Sequence, residues 1–107
     1  MTSFQDRERG EEAKYAHDAD IQFRIQARRN RLLGEWAAGR MKLSPAETEA
    51  YAKSVVQADF EESGEEDVIR KLLGDLIGAG VETTEAEVRT ALEAKQVEAR
   101  RAFLGEA

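Results

Sequence analysis

The stretch Ser44-Pro45-Ala46-Glu47 holds the only proline of the chain and constrains folding more than any other. Proline breaks a helix interior, yet at the first helical position its missing N–H costs nothing. With serine before it and glutamate three residues after that serine, the four residues make a capping box. One helix must therefore end before Ser44 and another begin at Pro45. The other punctuation follows this frame. Gly39 offers a cheap left-handed end to the preceding helix. Ser63-Gly64-Glu65-Glu66 reads as a second serine box, Gly78-Ala79-Gly80 as a stop, and Thr84-Glu85-Ala86-Glu87 as a third start.

Between these marks the apolar residues recur at helical spacing. In the first helix Ile21, Ile25, Leu32 and Trp36 make one stripe, bridged by the aliphatic stem of Arg28 and widened by Phe23, Ala27, Leu33 and Ala37. Arg24, Arg29 and Arg31 fall on its other side. Asp18 and Asp20 are N-cap candidates, and Gly34, inside the helix beside Trp36, predicts a close crossing with another backbone. The second helix presents Tyr51, Val55 and Ala58, with Ala52, Val56 and Phe60 alongside. The third carries Val68, Ile69, Leu72, Leu73, Leu76 and Ile77 and should be the most buried. The fourth offers Val88, Leu92, Ala99 and Phe103, with the Lys95 stem between. The expected helices are 19–39, 45–61, 64–78 and 85–104. Four capped helices on short loops make an all-α, antiparallel four-helix bundle over residues 19–107.

Residues 1–18 do not fit that pattern. Phe4 and Tyr15 are scattered among Asp6, Arg7, Glu8, Arg9, Glu11, Glu12 and Lys14, with Gly10 in the middle. Too little apolar surface is available to offset ordering entropy, so this N-terminal tail should be disordered or weakly helical when alone. One alternative is an inert terminus. The other is a helix formed once a partner supplies a surface, which the charges at helical spacing allow.

Composition narrows the function. Of 107 residues, 36% are charged and 41% hydrophobic, with no cysteine. That suits solvated amphipathic helices and excludes disulfides and thiolate zinc sites. A net charge of −6 argues against non-specific nucleic-acid binding. The acidic excess between Met41 and Glu85 is read first as a solvated face, and second as a complement that could lie against the basic first helix of the same molecule. No apolar run approaches a membrane span or the core of a signal peptide, so the expected location is cytoplasmic, without membrane insertion.

Searches for chemistry end without a catalytic set. Asp59, Glu61, Ser63 and Gly64 match the first positions of a calcium loop, but Arg70 occupies the place of the bidentate carboxylate. His17 is the sole imidazole, so no histidine metal cluster forms; it could tune how the tail joins the first helix, or simply be exposed at the helix start. The glycines at Gly74, Gly78 and Gly80 lack a phosphate-loop ending, and Ser54 has no predictable base. Trp36 and Phe60 are read as core rather than as a ligand cage. The chain reads as a non-enzyme with no metal, no cofactor and no catalytic residue.

Taken together, Ala16-His17-Asp18, Ala27-Arg28-Arg29-Asn30, Leu32-Leu33-Gly34, Trp36-Ala37-Ala38, Tyr51-Ala52-Lys53, Ala58-Asp59-Phe60-Glu61-Glu62, Gly64, Glu66-Asp67-Val68 and Arg70-Lys71 resemble the zeta ATPase-inhibitor subunits of alphaproteobacterial F-type ATP synthases. The resemblance spans nearly the whole chain. It implies a four-helix bundle bearing a mobile N-terminal inhibitory segment, with Phe4, Asp6, Arg7, Glu8, Lys14 and Tyr15 as partner-binding positions and His17 and Asp18 at the hinge. The implied partner is the catalytic head, at the interface of its alpha and beta subunits near the central stalk, on the inner face of the membrane. The free protein is expected to be a monomer. Two other readings stand beside this one: a small sensor binding a nucleotide or metabolite weakly in the bundle, and a helical adaptor of another complex.

Overall fold

The computed structural model describes residues 2–61 and 64–104, with side chains described from residue 19 onward. Its four helices are α1 (Thr2–Arg40), α2 (Pro45–Glu61), α3 (Glu65–Gly78) and α4 (Glu85–Leu104). There is no strand among the described residues.

Contacts between the helices give their directions. Arg40 meets Glu87 while Arg29 meets Gln96, so α4 runs antiparallel to α1. Gln26 meets Asp59 while Arg31 meets Glu49, so α2 does too. Tyr51 of α2 reaches Asp75 of α3, and Glu66 of α3 reaches Arg89 of α4. The core between them is built from Leu33, Ala37, Val55, Val68, Leu72, Leu76, Val88 and Leu92, with Trp36, Tyr51 and Leu73 packed at its edge. Each large aliphatic side chain removed from water contributes about 1.5–3 kcal/mol.

The capping signals act as their chemistry requires. At the proline box the Glu47 N–H donates to Ser44 Oγ at 3.2 Å, while the Ser44 N–H donates to Glu47 Oε1 at 2.9 Å. Before α4 the Glu87 N–H donates to Thr84 Oγ1 at 3.2 Å. α3 begins differently: its N-cap is Gly64, with no side-chain cap, and the Ser63 of the expected box lies outside the described residues. α3 closes in a Schellman turn, the Val81 N–H reaching back to the Leu76 carbonyl at 2.9 Å around Gly80 at φ 80°.

Three expectations need correction. The N-terminal tail stands as expected, in its helical form: α1 runs from Thr2, so it is the N-cap role of Asp18 and Asp20 that falls away. Asp20 caps nothing and instead pairs with Arg24 one turn on, at 3.1 Å. Once packing fixes the later part of α1, each earlier residue extends an existing helix without a new nucleus, and the segment is rich in good helix formers. Nor does α1 end with a left-handed Gly39. The left-handed residue is Lys42, at φ 60°, with the Leu43 N–H bonded to the Ala38 carbonyl at 3.0 Å.

The third correction concerns faces. The most buried row of α1 is Ile25, Arg29, Leu33 and Ala37, rotated from the expected stripe, whose Ile21, Leu32 and Trp36 are half-buried. Arg29, expected outside, is inside. Phe60 and Phe103, expected in the core, are largely exposed, as are Phe23 and Ile77. α3 does bury Val68, Ile69, Leu72 and Leu76 as its spacing foretells.

Candidate functional site

α1 is the element on which the candidate partner-binding positions lie. Phe4, Asp6, Arg7, Glu8, Lys14, Tyr15, His17 and Asp18 all fall on its continuous backbone; their side chains lie outside the described residues. A helix of 39 residues measures about 58 Å at 1.5 Å per residue. The molecule extends 66 Å along its longest axis against 29 and 26 Å across. α1 therefore runs well past the shorter helices packed around its later part.

Three features hold α1 in the bundle. The first is the Gly34 crossing. A Cβ on Gly34 would stand 2.8 Å from the Ala52 Cα and 3.2 Å from Val55 Cγ2, so α1 and α2 approach backbone to backbone where only glycine fits. The second is a set of ion pairs joining basic α1 to acidic neighbours, as the charge distribution suggested: Arg31 to Glu49 at 2.8 Å and Arg40 to Glu87 at 3.1 Å. The Arg40 guanidinium also lies over the Trp36 ring, 5.5 Å from its centroid. Both pairs face solvent, where water and salt screen them, so they orient the helices more than they stabilise them.

The third is a buried polar network that the sequence reasoning missed. Asp59, in the last turn of α2, accepts from Gln26 Nε2 and Asn30 Nδ2, both at 2.7 Å. The Asn30 carbonyl in turn accepts from Arg29 Nε and NH2, at 3.1 and 2.9 Å. Turning the amide over would aim its NH₂ at the guanidinium, so the network admits one orientation. Arg29 NH1 reaches outward to Glu65 and Gln96, each at 3.4 Å. One side chain thus touches both α3 and α4. Arg29, Asn30 and Asp59 are all buried, and no buried side-chain polar atom among the described residues lacks a partner.

The electrostatics of this cluster are balanced. Burial pushes the Arg29 guanidinium downward from its ordinary pKa, while Asp59 and Glu65 push it up; a guanidinium so placed stays charged. The counter-charges are Asp59, with its Oδ2 3.9 Å from Arg29 NH2, and Glu65, 3.4 Å from NH1, while the neutral Asn30 amide bridges the guanidinium to Asp59 by hydrogen bonds. A signal for this pair was present. Arg29 continues the four-residue row Ile25, Leu33, Ala37, and Asp59 continues Ala52 and Val55. Opposite charges each replace an apolar residue on facing core rows. Asp59, which opens the calcium-like pattern, has its carboxylate directed at α1.

On the α2–α3 side, Tyr51 donates its hydroxyl to Asp75 Oδ2 at 2.7 Å, and Lys71 Nζ lies 3.1 Å from the same oxygen. Burial first, then the bond to Asp75, holds the Tyr51 phenol far above its ordinary range. These are structural contacts, with no activated nucleophile between them. No helix among the described residues is long and apolar enough to cross a membrane.

Comparison with known proteins agrees with this architecture. Among curated proteins no match is found. A structure determined by solution NMR is 47% identical, over an alignment covering 81% of this chain and 99% of that one, with a TM-score of 0.69. A family model described as ATPase inhibitor subunit zeta matches residues 1–102. Because that match takes in the extended start of α1 as well as the helices packed around its later part, the chain belongs to the ATPase inhibitor subunit zeta family.

Proposed function

We propose that this protein stops ATP hydrolysis by an F-type ATP synthase, with Met1 to Asp18 entering the interface between alpha and beta subunits of the catalytic head near the rotating stalk. Membership of an inhibitor-subunit family makes the chain regulatory rather than catalytic. The observation that carries the mechanism is the continuity of α1, which leaves the bundle and goes on to Thr2 as one helix. The packed part of α1 is a template from which helicity extends into the tail without a new nucleus, which lowers the roughly 2–5 kcal/mol that coupled folding costs. In this reading Phe4 and Tyr15 are the apolar anchors, and Asp6, Arg7, Glu8 and Lys14 answer a mixed-charge cleft. His17 and Asp18 mark where the inserted part gives way to the packed part. The bundle, 29 by 26 Å across, stays outside and limits how far the helix enters.

Steady-state ATPase assays on the isolated cognate head test this. The full chain should inhibit, and a chain beginning at Ala19 should not. The bundle itself should persist in that truncation, since the buried residues among those described all lie at or after Ile25. Gly10→Ala should strengthen inhibition through its higher helix propensity, and Phe4→Ala or Tyr15→Ala should weaken it. Equal inhibition by the truncated and intact chains would sink the mechanism.

A further inference from the structure

Large apolar side chains that cluster in water mark an interaction surface more often than chance placement. Phe23, Phe60 and Phe103 are 57%, 71% and 42% exposed. All three lie at the end of the bundle from which α1 continues toward Thr2. Phe23 and Phe60 meet edge to face with centroids 6.2 Å apart. Phe23 and Phe103 flank a shallow groove that Val56 also lines.

The same groove is bordered by Arg24, Arg28 and Arg31. Arg24 pairs with Asp20, and Arg31 with Glu35 and Glu49. Arg28 is exposed and makes no ion pair among the described residues. With Arg24 and Arg31 already paired, the charge left over in this aromatic groove is that of Arg28, and its complement is a segment carrying a carboxylate beside apolar side chains.

We infer that this groove is a second docking surface, which takes an acidic, apolar segment of the ATPase head at the mouth of the cleft. The inference rests on the inhibitory reading above. From Asp18 to Phe23 is about 7.5 Å along one helix, so a body that holds residues before Asp18 stands within reach of the groove. A second copy of this chain is a poor occupant, because a two-fold contact would set arginine against arginine.

Full-length protein with Phe103→Ser, and separately with Arg28→Glu, tests it against the isolated cognate head. Both sites are exposed, and thermal melting checks that each variant stays folded. Each variant should need roughly tenfold more protein for half-inhibition, with inhibition at saturation unchanged. Arg28→Glu should also flatten the dependence of inhibition on salt. Wild-type potency in both variants would overturn the proposal while leaving the inhibitory reading intact. A wild type that neither binds the head by sedimentation nor inhibits it would instead remove the inhibitory reading, and the proposal with it. If ultracentrifugation shows a wild-type dimer that Phe103→Ser dissolves, the groove joins two copies and the proposal is overturned.

Discussion

Asn30 donates its amide to Asp59 at 2.7 Å in the interior between α1 and α2, and through that amide the buried Arg29 guanidinium meets its counter-charge. Charge and hydrogen bonding at this point are one system, so removing either end strands the rest.

Asp59→Ala should therefore cost about 3–5 kcal/mol, the range seen when one partner of a buried pair is deleted and the other charge is left behind. Arg29→Met combined with Asp59→Leu should be less damaging than the sum of the two single changes by more than about 1 kcal/mol. Urea unfolding of the three variants measures this. Additive losses would mean that the two side chains are held independently.

Two glycines inside helices should respond in opposite directions. Gly74→Ala in α3 meets open space and should stabilise by roughly 0.5–1 kcal/mol through helix propensity. Gly34→Ala gains the same propensity but drives a methyl group into the Ala52 backbone. Overpacking of about 1–3 kcal/mol or more then dominates, and a net loss is expected. Thermal melting of the two variants side by side decides it, and a stabilised Gly34→Ala would show that α1 and α2 can part without cost.

Lys42 sits at φ 60°, where a Cβ is unfavourable by about 1–2 kcal/mol. Lys42→Gly should raise stability by up to about 1 kcal/mol, since glycine's extra freedom in the unfolded chain takes back part of the gain. Denaturant midpoints will read the change.

The acid limb of stability should carry the signature of three surface carboxyls. Glu47 is held below its ordinary pKa first by the Ser44 N–H, Glu66 first by the Arg89 guanidinium, and Glu87 first by Arg40. A folded-state pKa below the unfolded value means that the stabilisation is fully present above the unfolded value near 4.5. It is lost as pH falls through the folded one. Glu47→Gln keeps a capping amide but does not titrate there, so the slope of stability against pH below about 4.5 should become shallower. An unchanged slope would assign the acid sensitivity to other groups.

Most of this architecture was legible because caps are local. The proline box and the threonine start depend on residues three apart, and α2 and α4 run as those signals indicated. What escaped depends on partners far along the chain. Burial of Arg29 becomes visible only when Asp59, Glu65 and Gln96 are brought round to it. The exposure of Phe60 and Phe103 reflects helix ends that outrun their neighbours, which periodicity within one helix does not report. The weakly helical tail was legible from its lack of an apolar stripe, whereas the absence of a cap at Asp18 or Asp20 was not, because the helix runs on through both. The candidate partner-binding positions came from family likeness alone, since charged residues at helical spacing carry no chemistry of their own.

The unbroken course of α1 makes phase a property of this molecule. Each residue in an α-helix turns the chain by about 100° and advances it 1.5 Å. One residue inserted between Asp18 and Phe23 would rotate everything upstream by more than a quarter turn relative to the bundle, while leaving every upstream residue unaltered. Length changes of about seven or eleven residues would nearly restore the facing, though they would shift the reach by about 10 or 16 Å. Two chains with identical first segments and identical bundles could thus turn those segments to opposite sides.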